Sequence, residues 1–363
     1  MTGRVSVQPS AAARPPRGAG PRRATLRVGS RIAVPVRRSS LLAALVTVVL
    51  LLLAATLTLT LGRLGIRLAD LPDALAGGAT GKNAFVLNRL RGPRLSVAVA
   101  TGAAFGLSGA LFQSVTRNPL GSPDVIGLGA GAGAGAAAVA LLLPGVLPVS
   151  AGALLGAVAA MAAVYLSTGT GFRSPGRLVV AGIGVSAMAT ALTQYVVYAV
   201  ERDKASSLTA YVNGSLAARS WDDSTTIWAV LLVCLPCAVP LARPLALGEM
   251  GDDLSTGLGV DPARIRTAAV LLSIVLSAGA VAVAGPIAFI SLTAPQVAKR
   301  VTRSGGPQLV MSTLIGALLL VLADLAAQQL PLFDNLPVGI YTMAVGGAYL
   351  GWLLVREWRR HRA

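Results

Sequence analysis

The sequence predicts an all-α, polytopic membrane protein with about ten transmembrane helices. Of its 363 residues, 54% are hydrophobic and 12% are charged, whereas a soluble domain has about 25% charged residues. The mean hydropathy is +0.71. Apolar runs long enough to cross about 30 Å of hydrocarbon recur along nearly the whole chain after residue 39. These runs leave almost no sequence for a soluble catalytic domain.

Ten apolar runs are separated by breaks that contain charged residues, proline or glycine. They cover residues 41–61, 93–114, 124–143, 148–167, 178–200, 225–242, 267–284, 286–301, 308–328 and 336–355. If both termini lie in the cytoplasm, 22 of the 31 Lys and Arg are on the cytoplasmic side and 9 are on the outer side. This distribution follows the positive-inside rule and predicts a multi-pass protein of the cytoplasmic membrane.

Both ends of the chain are basic. Residues 1–39 contain nine Arg and no acid and are rich in Pro, Ala and Gly, so we expect a disordered cytoplasmic tail. Residues 358–363 form a second basic cytoplasmic tail. The formal net charge of +17 would suggest a nucleic-acid partner in a soluble protein, but no nucleic-acid motif accompanies it. We therefore expect contact with membrane lipid and no nucleic-acid partner.

Two segments carry prolines where helices would otherwise continue. Asn118–Asp124 has two prolines and a glycine directly after the second run, and Ala284–Arg300 has two prolines within a short apolar run. Irregular backbone at membrane depth is tolerated where it is buried in protein or lines a cavity. Such broken helices are typical of transporters.

A cluster of acidic residues interrupts the apolar sequence between the sixth and seventh runs. Four of the 14 acidic residues lie between Glu249 and Asp261. Because ionisable groups are costly in hydrocarbon, this segment must lie in water or against another protein. The order of the spans places it on the cytoplasmic side.

The outer side has a basic cluster. Six of its nine Lys and Arg lie between Arg63 and Arg94, and Arg89, Arg91 and Arg94 crowd the start of the second run. One interpretation is a set of interfacial residues whose charged ends reach water. The other is a basic rim that receives an acidic partner or ligand from outside.

Few residues of this sequence could carry chemistry. His361 is the sole histidine, and Cys234 and Cys237 lie in an apolar run without the context of a redox motif. Asp324 is the clear ionisable residue within the runs, and it either has a structural role, such as capping a neighbouring half-helix, or belongs to a pathway. The segment Gly77–Asn83 fails the spacing of a phosphate-binding loop. We expect no catalytic residue, no metal site and no cofactor bound by this chain.

Five ordered motifs resemble one family of membrane proteins. They are Arg91–Arg94, Gly106–Gln113 with Arg117–Asp124, Leu245–Glu249 with Leu258–Gly259, Gly285–Pro295, and Leu336–Gly339. Together they make residues 40–357 similar to the FecCD-type permeases of iron-siderophore and vitamin B12 ABC importers.

The resemblance implies the transmembrane subunit of a type II ABC importer, which is not itself an enzyme. Such a subunit pairs with a second permease subunit, with two cytoplasmic ATPase subunits that bind ATP and Mg, and with an extracytoplasmic siderophore-binding lipoprotein. Residues 244–262 would form the coupling loop, which transmits closure of the ATPases. Its expected ATPase contacts are Leu247, Gly248, Glu249, Asp252, Asp253, Leu254 and Leu258.

The same resemblance implies a docking surface for the binding protein. Arg91 and Arg94 match arginines that pair with acidic residues of that partner, which favours the basic-rim interpretation. Gln328 stands where the family has a third arginine.

A gate and a pathway are also implied. The turn Ser174, Pro175 and Gly176 falls where the family has its cytoplasmic gate. The fifth run is the expected pathway wall, with Ser186, Thr190, Thr193, Gln194 and Tyr195.

The cargo is suggested by one position. Gln296 stands where many relatives have His, and in this it resembles the ferric enterobactin permease subgroup, in which two different permeases form the dimer. We expect a ferric-siderophore importer that works by alternating access, with cobalamin or haem as the alternative cargo. An ATP-independent secondary transporter would need a relay of ionisable groups, and a purely structural scaffold would not need proline-broken spans. Homodimer and heterodimer both stay open.

Overall fold

The computed structural model describes residues 23–28, 32–124, 126–169, 175–199, 212–330 and 336–361. In this part of the chain, ten helices follow the ten predicted spans and confirm the predicted helical bundle, and two short helices lie between the sixth and seventh spans. In chain order they are α1 (Arg38–Thr60), α2 (Gly92–Thr116), α3 (Leu128–Leu142), α4 (Val149–Thr168), α5 (Pro175–Ala199), α6 (Trp221–Ala238), α7 (Ala242–Gly248), α8 (Asp252–Gly257), α9 (Pro262–Ala284), α10 (Ile290–Thr302), α11 (Leu309–Gln329) and α12 (Val338–His361). Seven helical segments among the described residues are long and apolar enough to cross a membrane.

Every one of the ten helices differs by one or more residues from its predicted span, and three of the differences have a clear physical reason. α3 begins at Leu128 rather than at 124, because Pro123 and a left-handed Gly127 (φ 95°) keep the preceding backbone irregular. α10 has 13 residues, or about 20 Å of helix, so it spans only part of a bilayer. α12 continues to His361, where we expected a separate tail from residue 358, because no Gly or Pro follows Gly351.

Part of the tail that we expected to be disordered forms a β-hairpin. Strands β1 (Arg23–Val28) and β2 (Ile32–Arg37) pair antiparallel, with Arg23 opposite Arg37 and Val28 opposite Ile32. Both strands are rich in β-branched residues, which favour extended backbone. The expectation of disorder is wrong for this hairpin, which is the one exception to the all-α class among the described residues.

The central helix α2 packs against α11 with backbone against backbone. A Cβ atom added at Gly102 would lie 2.4 Å from the carbonyl oxygen of Gly316, and one added at Gly106 would lie 2.1 Å from that of Ser312. Helices in membranes associate by such close packing, because lipid offers no hydrophobic driving force between them. The small residues of the sequence therefore fix this crossing.

A second glycine contact joins α3 to α4. A Cβ atom at Gly135 would lie 2.1 Å from the carbonyl oxygen of Gly152, and one at Gly156 would lie 2.2 Å from that of Gly131. The alternating glycines of the third run are therefore a helix-packing surface.

Three serine hydroxyls join α2 to α9. Ser108 Oγ lies 2.9 Å from Ser273 Oγ and 2.8 Å from Ser277 Oγ, and all three residues are fully buried. Buried hydroxyls need such partners. The contact fixes α9 against the central helix at mid-length.

The chain turns sharply between α9 and α10. Gly285 (φ 75°) ends α9, and Phe289 (φ 70°) precedes α10. A left-handed Phe is strained; its ring lies against Gly346 of α12, where an added Cβ would be 2.3 Å from it. The segment 285–289, here called the α9–α10 link, is the irregular backbone that the proline pattern predicted.

Short helical segments fill the connection between α1 and α2. They are Leu71–Asp73, Ala74–Gly78, Gly81–Phe85 and Val86–Arg91. Trp221 Nε1 donates a hydrogen bond of 2.9 Å to the carbonyl oxygen of Asn88. This bond joins the connection to the start of α6, at the end of the bundle opposite the coupling loop.

Candidate functional site

A cavity of about 1070 Å³ opens between α3, α5, the α9–α10 link and α12. Three of the residues expected on the pathway wall line it: Thr190, Thr193 and Gln194. The Thr193 hydroxyl donates to the carbonyl oxygen of Ala189 at 2.9 Å, so that hydroxyl presents lone pairs to the cavity. The wall is mostly apolar with a few polar groups, as ligand sites usually are.

The other two expected wall residues lie elsewhere. Ser186 faces Gly127, where an added Cβ would be 3.1 Å from the serine hydroxyl oxygen. Tyr195 is 67% exposed and does not line the cavity, whereas Tyr198, one turn later, does. α5 therefore presents one face to the cavity and a second, largely apolar face away from the bundle.

Several lining residues come from the proline-broken segments. They are Asp124, Pro286, Ile287 and Ala288, and Asn213 joins them from the stretch before α6. The sequence predicted irregular backbone at a cavity in these segments but did not assign these residues to the pathway. The sequence could have indicated Asp124 as a cavity residue, because Asp124 ends the segment Asn118–Asp124 and directly follows its two prolines.

Asp124 joins the cavity wall to α10. Its Oδ2 accepts a hydrogen bond of 2.7 Å from Ser291 Oγ in the first turn of that helix. A helix N-terminus favours a nearby carboxylate, and a buried carboxylate requires such a donor. Among the described residues, no group of three or more His, Cys, Asp or Glu could hold a metal ion.

The expected gate turn lies beside the irregular segment that follows α2. Ser174 is outside the described residues, and Pro175 begins α5. Gly176 lines a cavity of about 290 Å³ together with Asn118 and Gly121. The start of α5 and the segment after α2 are therefore neighbours at the coupling-loop end of the bundle.

Two of the three expected docking residues bind Asp324. Arg94 Nε lies 3.0 and 3.1 Å from the two carboxylate oxygens, and Arg94 Nη2 lies 2.8 Å from Oδ1. Gln328 Nε2 donates to Oδ2 at 2.6 Å. Asp324 is 1% exposed, and its structural role is a bidentate ion pair that joins α2 to α11. The expectation that it caps a half-helix is wrong.

Arg91 is held by backbone. Its Nη1 donates at 2.6 Å to the carbonyl oxygen of Thr58 near the end of α1, where carbonyls lack helical partners and the helix dipole favours a cation. Arg63, Arg91, Arg94 and Gln328 line a cavity of about 520 Å³ that no acidic residue lines in the described part of the chain. The basic rim therefore surrounds a positively charged cavity. Asp324 does not line this cavity, but it binds Arg94 and offsets the charge of that arginine.

Two acids of the coupling loop, Glu249 and Asp252, bind basic residues of this same chain. Asp252 Oδ1 lies 2.5 Å from Arg266 Nη2 and also contacts Arg117, and Glu249 Oε1 lies 3.7 Å from Lys299 Nζ. The hydrogen bonds from Arg266 and then Arg117 hold the pKa of Asp252 below its ordinary value, so it is ionised at neutral pH. These partners lie at the ends of α9, α2 and α10, and the acids therefore fasten the loop to the bundle.

The exposed surface of the coupling loop is apolar. Met250 is 67% exposed, Leu254 48% and Leu258 58%, whereas Leu247 and Gly248 are half-buried. An exposed apolar patch that lipid does not cover is typical of a protein contact. The expected ATPase contacts thus include the exposed Leu254, Leu258 and Asp253, which can meet a partner, and Glu249 and Asp252, which bind within the chain.

Comparison with known proteins gives one consistent result. The model of the FecCD transport family matches residues 48–356. The ferric enterobactin transport system permease protein FepG of Escherichia coli (strain K12) is 37% identical over 90% of this chain and 99% of its own length. The achromobactin transport system permease protein CbrC of Dickeya dadantii (strain 3937) is 35% identical over 86% of this chain and 91% of its own.

The fold is similar to that of solved transporters. An inward-facing conformation of a metal-chelate type ABC transporter aligns with a TM-score of 0.76 and 25% identity, covering 86% of this chain and 98% of the other. PsaBC from Streptococcus pneumoniae aligns with a TM-score of 0.53 at 14% identity, over 77% of this chain and 93% of the other, which is a likeness of fold alone.

Proposed function

This chain belongs to the FecCD transport family, and we propose that it is the membrane permease subunit of an ATP-driven importer that moves ferric siderophores across the cytoplasmic membrane. The observation that supports this best is the cavity of about 1070 Å³, walled by α5 and the α9–α10 link. Its size and mixed polar and apolar wall suit a bulky chelate. The relatives named above carry ferric enterobactin and achromobactin in their names.

The energy source in this proposal is a pair of separate ATPase subunits. ATP and Mg bind to those subunits, whose closure moves the coupling loop and reorients the helices around the cavity. The exposed Leu254 and Leu258 are the proposed ATPase contacts. A second permease subunit, identical or different, covers the exposed apolar face of α5 and completes the path.

The orientation follows from the charges. We propose that both termini and the coupling loop are cytoplasmic and that the basic rim faces outward, where Arg91 and Arg63 attract acidic residues of a substrate-binding lipoprotein. Arg94 and Gln328 act mainly through Asp324, by shaping this surface rather than by free charge.

Deletion of this chain is expected to abolish uptake of its ferric siderophore. The measurement is uptake of ⁵⁵Fe-labelled siderophores of the catecholate, hydroxamate and citrate classes, with cobalt-labelled cobalamin in parallel, in the deletion strain and in the same strain with the chain restored. Restored uptake of one ferric class, with cobalamin uptake equal in both strains, is the expected result. Dependence of cobalamin uptake alone would contradict the proposal.

Replacing the two exposed leucines of the coupling loop with charged residues is expected to release the ATPase. Leu254→Asp with Leu258→Asp places two carboxylates in an apolar contact, which should weaken co-purification of the ATPase with the tagged chain at least about tenfold. Leu75→Asp is the matched control, since Leu75 is 62% exposed at the other end of the bundle. Equal ATPase recovery from both variants would exclude the leucines as the contact.

A further inference from the structure

We propose that α10 is a lever that connects the coupling loop to the cavity, with its pivot where Ser291 rests on Gly109. Its coupling-loop end is moved through the Glu249–Lys299 ion pair, and its other end carries the α9–α10 link in the cavity wall. This inference rests on the proposed function, since it describes how that importer couples ATP hydrolysis to movement of its cargo.

Two residues form the pivot, one on α10 and one on α2. Proline has no N–H, so Pro295 leaves the carbonyl oxygen of Ser291, four residues earlier, without its helical partner. That carbonyl lies against α2 at Gly109, where an added Cβ would be 1.7 Å from the oxygen. No side chain stands between the two backbones here, so this is the closest approach of α10 to the central helix. Gln113 of α2 flanks it, donating to the Leu292 carbonyl oxygen at 3.0 Å and accepting from Gln296 Nε2 at 2.7 Å, which keeps α10 against α2 at this point.

The short arm of the lever ends in the cavity. Pro286, Ile287 and Ala288 of the α9–α10 link line the cavity directly. Beside the pivot, Ser291 Oγ donates to Asp124 Oδ2 at 2.7 Å, and Asp124 is itself a cavity residue. Rotation of α10 about the pivot would therefore move one wall of the cavity relative to another.

The long arm ends at the coupling loop. Lys299 lies eight residues after Ser291, or about 12 Å along the helix axis, and its Nζ is 3.7 Å from Glu249 Oε1. The two side chains are 32% and 25% exposed, so water screens the pair only partly. A displacement of the loop is therefore transmitted to the end of α10.

The packing of α10 permits a small rotation. Its contact with α11 and α1 is made by the small residues Ala294 and Ala298, which pack with Met311, Ile315 and Ala43. Small side chains allow helices to slide by shear without a change of rotamers in the core. By contrast, α2 and α11 meet backbone to backbone and serve as the fixed frame.

A charge exchange tests the lever. The importer is purified through a tag on this chain and placed in lipid vesicles, and the iron imported per ATP hydrolysed is measured. Glu249→Lys and Lys299→Glu should each lower that ratio about fivefold while the ATPase stays bound. The double variant, with both charges exchanged, should return the ratio to within about twofold of wild type. Arg264→Glu, a charge reversal at a side chain that is 88% exposed at the start of α9, is the control and should leave it unchanged.

Three results would overturn the lever: unchanged ratios in both single variants, no recovery in the double variant, or loss of the ATPase from Glu249→Lys, which would make Glu249 a docking residue.

Gly109→Ala, which obstructs the pivot, should lower the ratio independently of charge. A Gly109→Ala chain that inserts in the membrane and keeps the wild-type ratio would exclude the pivot. Absence of iron uptake by the wild-type importer would refute the proposed function instead, and the effect of the variants on ATPase stimulation would still test the lever.

Discussion

Replacing Asp324 with Ala is expected to destabilise the folded chain by about 3 kcal/mol or more, because it leaves Arg94 without its carboxylate inside the bundle. Asp324 is 1% exposed and the Arg94 side chain is 24% exposed, so the bidentate pair itself is largely shielded from water and its loss is only partly compensated by hydration of Arg94 from the adjoining cavity. Gln328 also loses the acceptor of its 2.6 Å hydrogen bond. The variant should therefore accumulate poorly in membranes and unfold at a lower temperature.

The chain contains a convenient reporter for this measurement. Cys234 is 3% exposed while Cys237 is exposed, so in a Cys237→Ser background the labelling of Cys234 on heating in detergent follows unfolding. The control is the double variant Arg94→Met with Asp324→Leu, which replaces the ion pair by apolar groups and should recover most of the stability. An Asp324→Ala chain as stable as wild type would mean that the pair contributes nothing to the fold.

Gly106→Ala is expected to destabilise the bundle by about 3 kcal/mol, at the upper end of the overpacking range. The new Cβ would lie 2.1 Å from the carbonyl oxygen of Ser312, which is backbone and cannot rotate away. α2 and α11 must then separate along the crossing where lipid-embedded helices gain their packing energy. The same thermal labelling of Cys234 measures the loss.

The matched control is Gly347→Ala in α12. No heavy atom lies within 4 Å of a Cβ built at Gly347, so the substitution should be neutral or stabilise by up to about 1 kcal/mol through helix propensity. If the two variants unfold alike, the α2–α11 contact is looser than the backbone geometry indicates.

The helical architecture could be predicted because it depends on local properties of the sequence. Apolar run length and proline placement identified the ten helices of the bundle, and Pro286 correctly marked the broken segment before α10, whereas Pro295 lies inside that helix. The β-hairpin was missed because the abundance of Arg, Pro and Gly in residues 1–39 outweighed the β-branched residues of two short strands. The continuation of α12 was missed because charge alone was taken to end the helix.

The side-chain partnerships could not be predicted, because they join residues far apart in the chain. Arg94 and Asp324 are separated by 230 positions, and Arg117 and Asp252 by 135. The sequence identified each of these residues as unusual for an apolar protein. It could not tell that Arg94 is paired within the bundle, or that Asp252 faces Arg266 and Arg117 rather than an external partner. Composition thus identified the charged residues, and only the packing of the helices determined their roles.

The internal pairing of the coupling-loop acids has a consequence for assembly. If Glu249 and Asp252 are neutralised by Lys299, Arg266 and Arg117, recognition of the proposed ATPase depends more on apolar shape than on charge. The affinity of that contact should then change little with ionic strength, since salt screens mainly exposed charges. A surface of this kind also discriminates weakly among partners with similar grooves. One ATPase could therefore serve several permeases in the same cell, with cargo selected entirely on the other side of the membrane.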